Sequence, residues 1–237
     1  MTDRPLADQI ALVTGASRGI GAATALALGS AGAHVILTAR TVGGLESVEQ
    51  AIYEAGGTAT IAPMDLAEGD SVARLAAAIE ERWNRLDILV LNAAALGTLG
   101  AVSAFDPKEL AQVLTLNVSA QAALIGSFDA MLRNSKAGRV IGLTSSVGRN
   151  PRAYWGMYGA SKAAFENLLL SYGKEVENIA GVKVAVIDPG ATRTKMRARA
   201  FPGEDPNTLK TPEIVANRIA ALLADGFEPG HFERVEG

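Results

Sequence analysis

At 237 residues with 49% hydrophobic and 20% charged side chains, the chain has the length and composition of one soluble globular α/β unit. A net charge of -3 gives no electrostatic case for a nucleic acid or an anionic membrane surface as partner. With no cysteine, disulfides, thiolate nucleophiles and cysteine-based metal sites are excluded, and no metal is expected.

The opening M-T-D-R-P-L-A-D-Q carries acids and lacks an apolar core, so it does not read as a signal peptide. No run is expected to approach the roughly eighteen apolar residues of a membrane span. A cytoplasmic protein is the expectation.

Strand-length apolar runs then alternate with segments of helical period. Ile10 to Val13 is the first run, followed by a small-residue helix from Ile20 to Ala31. His34 to Leu37 is the second strand, and Leu45, Val48 and Ile52 recur at helical spacing. Thr58 to Ala62 is the third, and a helix begun by Asp70 carries Val72, Leu75, Ile79 and Trp83 inward. Ile88 to Leu91 is the fourth. Such unbroken runs suit parallel strands covered on both faces.

Asp106-Pro107-Lys108-Glu109 supplies a cap, a proline at the first helical position and an early glutamate. It predicts a long helix reaching about Arg133. Val140 to Leu143 is strand five, a helix spans about Trp155 to Glu177, and Val182 to Ile187 is strand six. Thr211-Pro212-Glu213 opens a last helix with Val215, Ile219 and Leu222 inside, and Gly230 to Gly237 reads as a seventh strand. Repeated β-α units imply right-handed crossovers in a doubly wound sheet, undivided by any linker over residues 1–237.

Between the first strand and first helix stands Thr14-Gly15-Ala16-Ser17-Arg18-Gly19-Ile20-Gly21. Glycines there let the backbone turn sharply and approach a pyrophosphate, and the helix N-terminus offers unpaired N–H groups to it. The spacing is G-x-x-x-G-x-G, and a turn serving only the fold is the alternative. A carboxylate after strand two would bind ribose hydroxyls; this chain has Ala39-Arg40 instead, with Arg18 as a second cation. Guanidinium forks match phosphate, so NADP(H) is expected over NAD(H) unless both arginines are merely solvated.

Tyr158 and Lys162 lie four apart and share one helix face. An ammonium beside a phenol favours the phenolate and yields a tunable proton donor and acceptor. Ser145, after strand five, can hold a substrate oxygen beside that phenol. An ordinary amphipathic face is the alternative for the pair. Asn117 has poor helix propensity in mid-helix, so it needs a tertiary reason, either catalytic or as a satisfied buried amide.

Together, T-G-A-S-R-G-I-G, Asp65, L-N-A-A, Asn117, Ser145, Y-G-A-S-K and D-P-G-A-T-R-T resemble the short-chain dehydrogenase/reductase family over nearly the whole chain. S-S-V-G-R, Y-W-G-M-Y and F-P-G-E-D-P-N-T-L-K-T-P are similar to its YciK-like bacterial oxidoreductases. The resemblance implies a single-domain Rossmann-type α/β fold and interconversion of a small carbonyl compound and an alcohol. It makes Tyr158 the general acid/base, Lys162 the ribose ligand that lowers the phenol's pKa, and Ser145 the carbonyl's hydrogen-bond donor. Asn117 would hold a relay water. It implies cofactor contacts at Gly15, Ser17, Arg18, Gly19, Ile20, Gly21 and Arg40, at Asp65 and Leu66 by the adenine, and at Asn92, Ala93 and Ala94 along the ribose. Pro189, Gly190, Thr192 and Thr194 would line the carboxamide end. The usual N-N-A-G reads Leu91-Asn92-Ala93-Ala94 here, and the tail pattern leaves a homodimer or homotetramer open.

Arg149, Arg152, Tyr154 and Trp155 form either a pocket wall for an anionic or ring-bearing substrate or ordinary packing. Residues 193–211 read as a mobile lid, with Met196 and Ala200 inward and Arg193, Lys195, Arg197 and Arg199 solvated. A catalytically silent NADP(H) sensor or scaffold is the competing function.

Overall fold

The computed structural model describes residues 4–178 and 181–236. Seven strands make one parallel sheet in the order β3-β2-β1-β4-β5-β6-β7. They are β1 (Ile10–Thr14), β2 (His34–Ala39), β3 (Thr58–Pro63), β4 (Ile88–Leu91), β5 (Arg139–Leu143), β6 (Lys183–Asp188) and β7 (His231–Arg234). The helices are α1 (Gly19–Ser30), α2 (Val42–Glu54), α3 (Ser71–Trp83), α4 (Pro107–Leu114), α5 (Ala120–Asn134), α6 (Ser146–Arg149), α7 (Gly156–Val176), α8 (Lys195–Ala200) and α9 (Pro212–Asp225).

Alternate residues of the central strands feed two cores. Ile10, Leu12, Leu89, Leu91, Val184 and Val186 pack with α3, α5 and α7, whereas Ala11, Val13, Ile88, Val90, Ala185 and Ile187 pack with α1, α2 and α9. Both faces of the central strands are therefore dry, which is why they read as unbroken apolar runs. Phe128 and Phe165 are fully buried, each contributing roughly 1.5–3 kcal/mol through apolar area removed from water. The chain's direction of winding reverses between β1 and β4, and a crevice opens there at the strands' carboxyl ends.

Several local expectations change. Asp70 stands at the head of α3, but its carboxylate bonds Arg74 at 2.6 Å instead of a backbone N–H. Asp106 does cap, accepting from Lys108 N at 2.9 Å. The long helix it starts is interrupted by a π turn, Thr115–Ser119, centred on Asn117. Pro107–Asn134 is 28 residues long and contains an 18-residue window with mean hydropathy 1.2, long and apolar enough by length and composition to pass for a membrane span, although polar residues interrupt it throughout. Its Leu124, Phe128, Met131 and Leu132 lie in the core beneath the sheet, so the apolarity serves packing. The last strand is shorter than expected, and Gly237 lies outside the described residues.

Candidate active site

A cleft of about 540 Å³ runs along the crevice. Of the site residues expected from sequence, all but Gly21 and Asn117 line it. Ala39, Thr41, Leu96, Leu116 and Thr144 line it as well, positions the motifs had not marked.

At one end is the glycine turn. Gly15 and Gly19 have φ of +65° and +57°, backbone that L side chains rarely adopt. A side chain at Gly21 would sit 2.3 Å from Gly15 O and 2.5 Å from Asn92 Nδ2, so this glycine keeps the turn closed instead of facing the cleft. Thr14 braces it from below. Its hydroxyl donates to Val90 O (3.1 Å) and accepts from Asn92 N (2.9 Å) and Ala93 N (3.0 Å), tying β1 to β4. The Asn92 amide donates to Thr14 O (2.8 Å) and Gly15 O (3.3 Å), so its Nδ2 is spent on bracing the turn. Leu91, where the family usually has an amide, is buried in the core.

The N-terminus of α1 opens on the cleft between Arg18 and Arg40. Arg18 makes no ion pair among the described residues; Arg40 is largely exposed, with Nη1 3.7 Å from Asp65 Oδ2. A helix N-terminus with two exposed guanidinium groups, one of them loosely paired with Asp65, suits a dinucleotide carrying an additional phosphate. Asp65 also accepts from Ala67 N at 3.0 Å, which holds the loop beside Leu66.

The other end gathers Ser145, Tyr158 and Lys162. Ser145 is the last residue before α6, and Tyr158 and Lys162 are on the first turns of α7. A side chain at Gly159 would meet Val147 O at 2.8 Å, so only glycine lets α6 lie this close to α7. Lys162 Nζ donates to Leu143 O at 2.7 Å and sits 5.8 Å from the Tyr158 ring centre. Burial lowers the lysine's pKa to about 8. Burial also pushes the tyrosine above its ordinary value, and the buried Asp188 carboxylate adds to that. The expected lowering of the phenol by its ammonium neighbour is absent from this arrangement, because desolvation dominates at both groups.

Asn117 is fully buried and takes no part in the lining. Its Oδ1 accepts from Ala95 N (2.8 Å), and its Nδ2 donates to Ala95 O (2.9 Å) and Ser161 Oγ (2.9 Å). It joins the π turn to the loop after β4 and to α7, the satisfied-amide alternative. Gln121 assists, donating to Leu116 O and Ala93 O.

Beyond Ser145, Pro189 and Gly190 lead to Thr192, whose hydroxyl donates to Pro189 O at 2.9 Å. Thr194 caps α8, its oxygen accepting from Arg197 N at 3.1 Å, which leaves its O–H as a donor on the cleft side.

The proposed wall divides. Trp155 lines the cleft, but Arg149, Arg152 and Tyr154 do not. Arg149 pairs with the buried Glu166 and covers the Phe232 ring at 3.4 Å; Arg152 lies over Trp155 at 5.7 Å; Tyr154 is exposed. Glu166 also accepts from Thr144 Oγ1 at 2.9 Å. On the lid, Met196 and Ala200 face inward as expected, and Arg197 is a correction. It is held by Glu204 instead of standing in solvent.

A family model described as short chain dehydrogenase matches residues 9–205. The chain is similar to the uncharacterized oxidoreductase YciK of Escherichia coli (strain K12), 38% identical over 223 residues, covering 93% of this chain and 88% of that one. It is 33% identical over 231 residues to the 2,3-dihydro-2,3-dihydroxybenzoate dehydrogenase of the same organism, covering 90% and 88%. A short chain dehydrogenase from Shigella flexneri 2a str. 301, solved in complex with NADP, superposes with a TM-score of 0.93 at 35% identity, covering 100% of both chains.

Proposed function

The chain belongs to the short-chain dehydrogenase family, and on that premise we propose that it is an NADP(H)-dependent oxidoreductase interconverting a carbonyl and an alcohol, with Tyr158 as general acid/base. The observation that carries this reading is one cleft lined by the glycine turn, Arg18 and Arg40 at one end and by Ser145, Tyr158 and Lys162 at the other. Bound there, the cofactor supplies or accepts the hydride.

The remaining work falls to the chain. The glycine turn and α1 N-terminus hold phosphate oxygens, and Arg40 and Arg18 select the extra phosphate. Ser145 donates a hydrogen bond to the carbonyl oxygen, where negative charge builds during reduction. Tyr158 gives its proton to that same oxygen, and takes it back in the reverse direction. Lys162 contributes positive charge beside the ribose and the phenol when protonated. Ser145 Oγ and Tyr158 Oη thus converge on one substrate atom.

Residues 193–211 act as the lid in this reading. They are tied at the base by Arg193 N to Lys210 O at 2.9 Å. Slower limited proteolysis of this segment with NADPH present tests that role. A cytoplasmic homodimer or homotetramer completes the proposal, and light scattering of the purified chain decides its size.

Mixing the chain with NADPH and a panel of ketones, aldehydes and 3-oxoacyl thioesters, and following NADPH absorbance, tests the activity. Consumption abolished by Tyr158→Phe supports it. Tight NADPH binding without consumption across the panel supports the sensor instead.

A further inference from the structure

The wall opposite the glycine turn bears on what is attached to the reacting carbonyl. Leu96, Trp155, Met196 and Ala200 line the cleft and pack with Tyr158 in a small apolar cluster separate from the two main cores. Trp155 stands edge-on to Tyr158 with ring centres 6.2 Å apart, and Phe201 backs Trp155 at 5.4 Å. The phenol thus sits at the edge of an aromatic shelf.

A cation also reaches this wall, but it is already engaged. Arg197 Nε and Nη2 donate to the two carboxylate oxygens of Glu204 at 2.6 and 2.5 Å, and the guanidinium lies over Phe201 at 3.7 Å. The side chains of Arg197 and Glu204 are only 24% and 26% exposed, so the fork is well sheltered. A bidentate pair of this kind satisfies both charges within the lid and fixes Phe201 behind Trp155. Arg193 and Lys195 also border the cleft, but both are exposed, where water screens them.

We propose that the substrate is an uncharged carbonyl compound bearing a flat apolar ring, seated on Trp155, and that the Arg197–Glu204 clasp denies this wall to a carboxylate. The inference rests on the oxidoreductase reading above and names the substrate class of that site. A ring entering here exchanges water for apolar and aromatic contacts. A carboxylate would surrender its hydration for little return, since the sheltered guanidinium on this wall already has its own partner and the other cations beside it, Arg152, Arg193 and Lys195, are exposed and screened by water.

A matched pair of aldehydes, methyl 4-formylbenzoate and 4-formylbenzoate, tests the proposal in the full chain with NADPH. The neutral ester is expected to have a kcat/KM about 10- to 100-fold above the carboxylate, the range a pocket of this kind achieves. Glu204→Ala, which frees Arg197, lowers that ratio by raising turnover of the carboxylate. Trp155→Ala lowers kcat/KM for the ester relative to propanal, which does not span the shelf. A carboxylate preferred by the native chain, or propanal and other aliphatic carbonyls consumed while both ring compounds are inert, overturns the substrate class and leaves hydride transfer standing. NADPH bound but consumed with no carbonyl at all removes the oxidoreductase reading and this inference with it.

Discussion

Lys162 Nζ lies 2.7 Å from the Leu143 carbonyl oxygen, so the buried ammonium of α7 is held by the last residue of β5 and not by the phenol one turn away. One backbone carbonyl compensates little of the hydration lost by a fully buried ammonium, which is why its pKa falls to about 8.

That shift is a statement about stability. In the unfolded chain the amine keeps its proton to 10.5, whereas in the fold it releases it near 8. Between those values the unfolded state binds more protons, so stability rises with pH there. Below about 8 both states are protonated and the full cost is present. Compared with Lys162→Met, the native chain should gain about 3 kcal/mol across this window. Urea unfolding of both proteins across the same range measures it, and a constant difference would contradict the assignment.

Tyr158 is raised by burial and by the Asp188 charge, so its hydroxyl is protonated at neutral pH and ready to donate. Reduction should therefore depend weakly on pH near neutrality, while alcohol oxidation, which needs the deprotonated phenol, should climb as pH rises. Tyr158→Phe should retain NADPH affinity and lose about 10²- to 10⁴-fold in turnover, the usual worth of a positioned proton donor. Stopped-flow traces alongside fluorescence titration of NADPH separate the two effects. Turnover within a factor of about two of the parent would remove Tyr158 from its role.

Arg40 carries the cofactor preference with Arg18. Removing one charge-assisted contact to phosphate costs about 1.5–3 kcal/mol, so Arg40→Ala should reduce the NADP-to-NAD ratio of kcat/KM about tenfold to a hundredfold. Because Arg40 is exposed, the effect should shrink as salt is added. An unchanged ratio at low salt would transfer the selectivity elsewhere.

The fold was largely legible because the central strands are dry on both faces, and alternation of Ile10, Leu12 against Ala11, Val13 needs no polar marker to stand out as a strand. The glycine turn, Ser145, Tyr158 and Lys162 were legible for a related reason, since each occupies a spacing that local geometry dictates. What escaped were side-chain partners distant along the chain. Spacing puts Arg149 beside the pocket, but Glu166 and Phe232 claim it. Spacing reveals that Tyr158 and Lys162 are close but not their desolvation, which raises the phenol and lowers the ammonium. Asn117 was flagged by its poor helix propensity, and the π turn is the structural answer that a helical-period pattern cannot express.

That π turn yields the last prediction. Asn117 uses one acceptor and both donors on Ala95 and Ser161, so Asn117→Ala strands Ala95 N and Ala95 O, while Ser161 Oγ keeps its bond to Tyr158 O. A loss of about 2–4 kcal/mol is expected for two half-buried backbone groups left unpaired. Asn117→Asp is nearly the same size and separates packing from hydrogen bonding. Its second carboxylate oxygen would face Ala95 O, acceptor against acceptor, where the amide had donated. Protonation restores one donor, and burial raises the pKa of the introduced carboxyl. The thermal midpoint of Asn117→Asp should therefore recover toward the parent as pH falls from about 8 to 5, while that of Asn117→Ala should stay at a fixed distance below it. Because Lys162 leaves Asn117 without a direct contact, turnover per folded molecule should keep its pH profile in Asn117→Ala. A displaced profile in well-folded protein would instead assign Asn117 to the proton path.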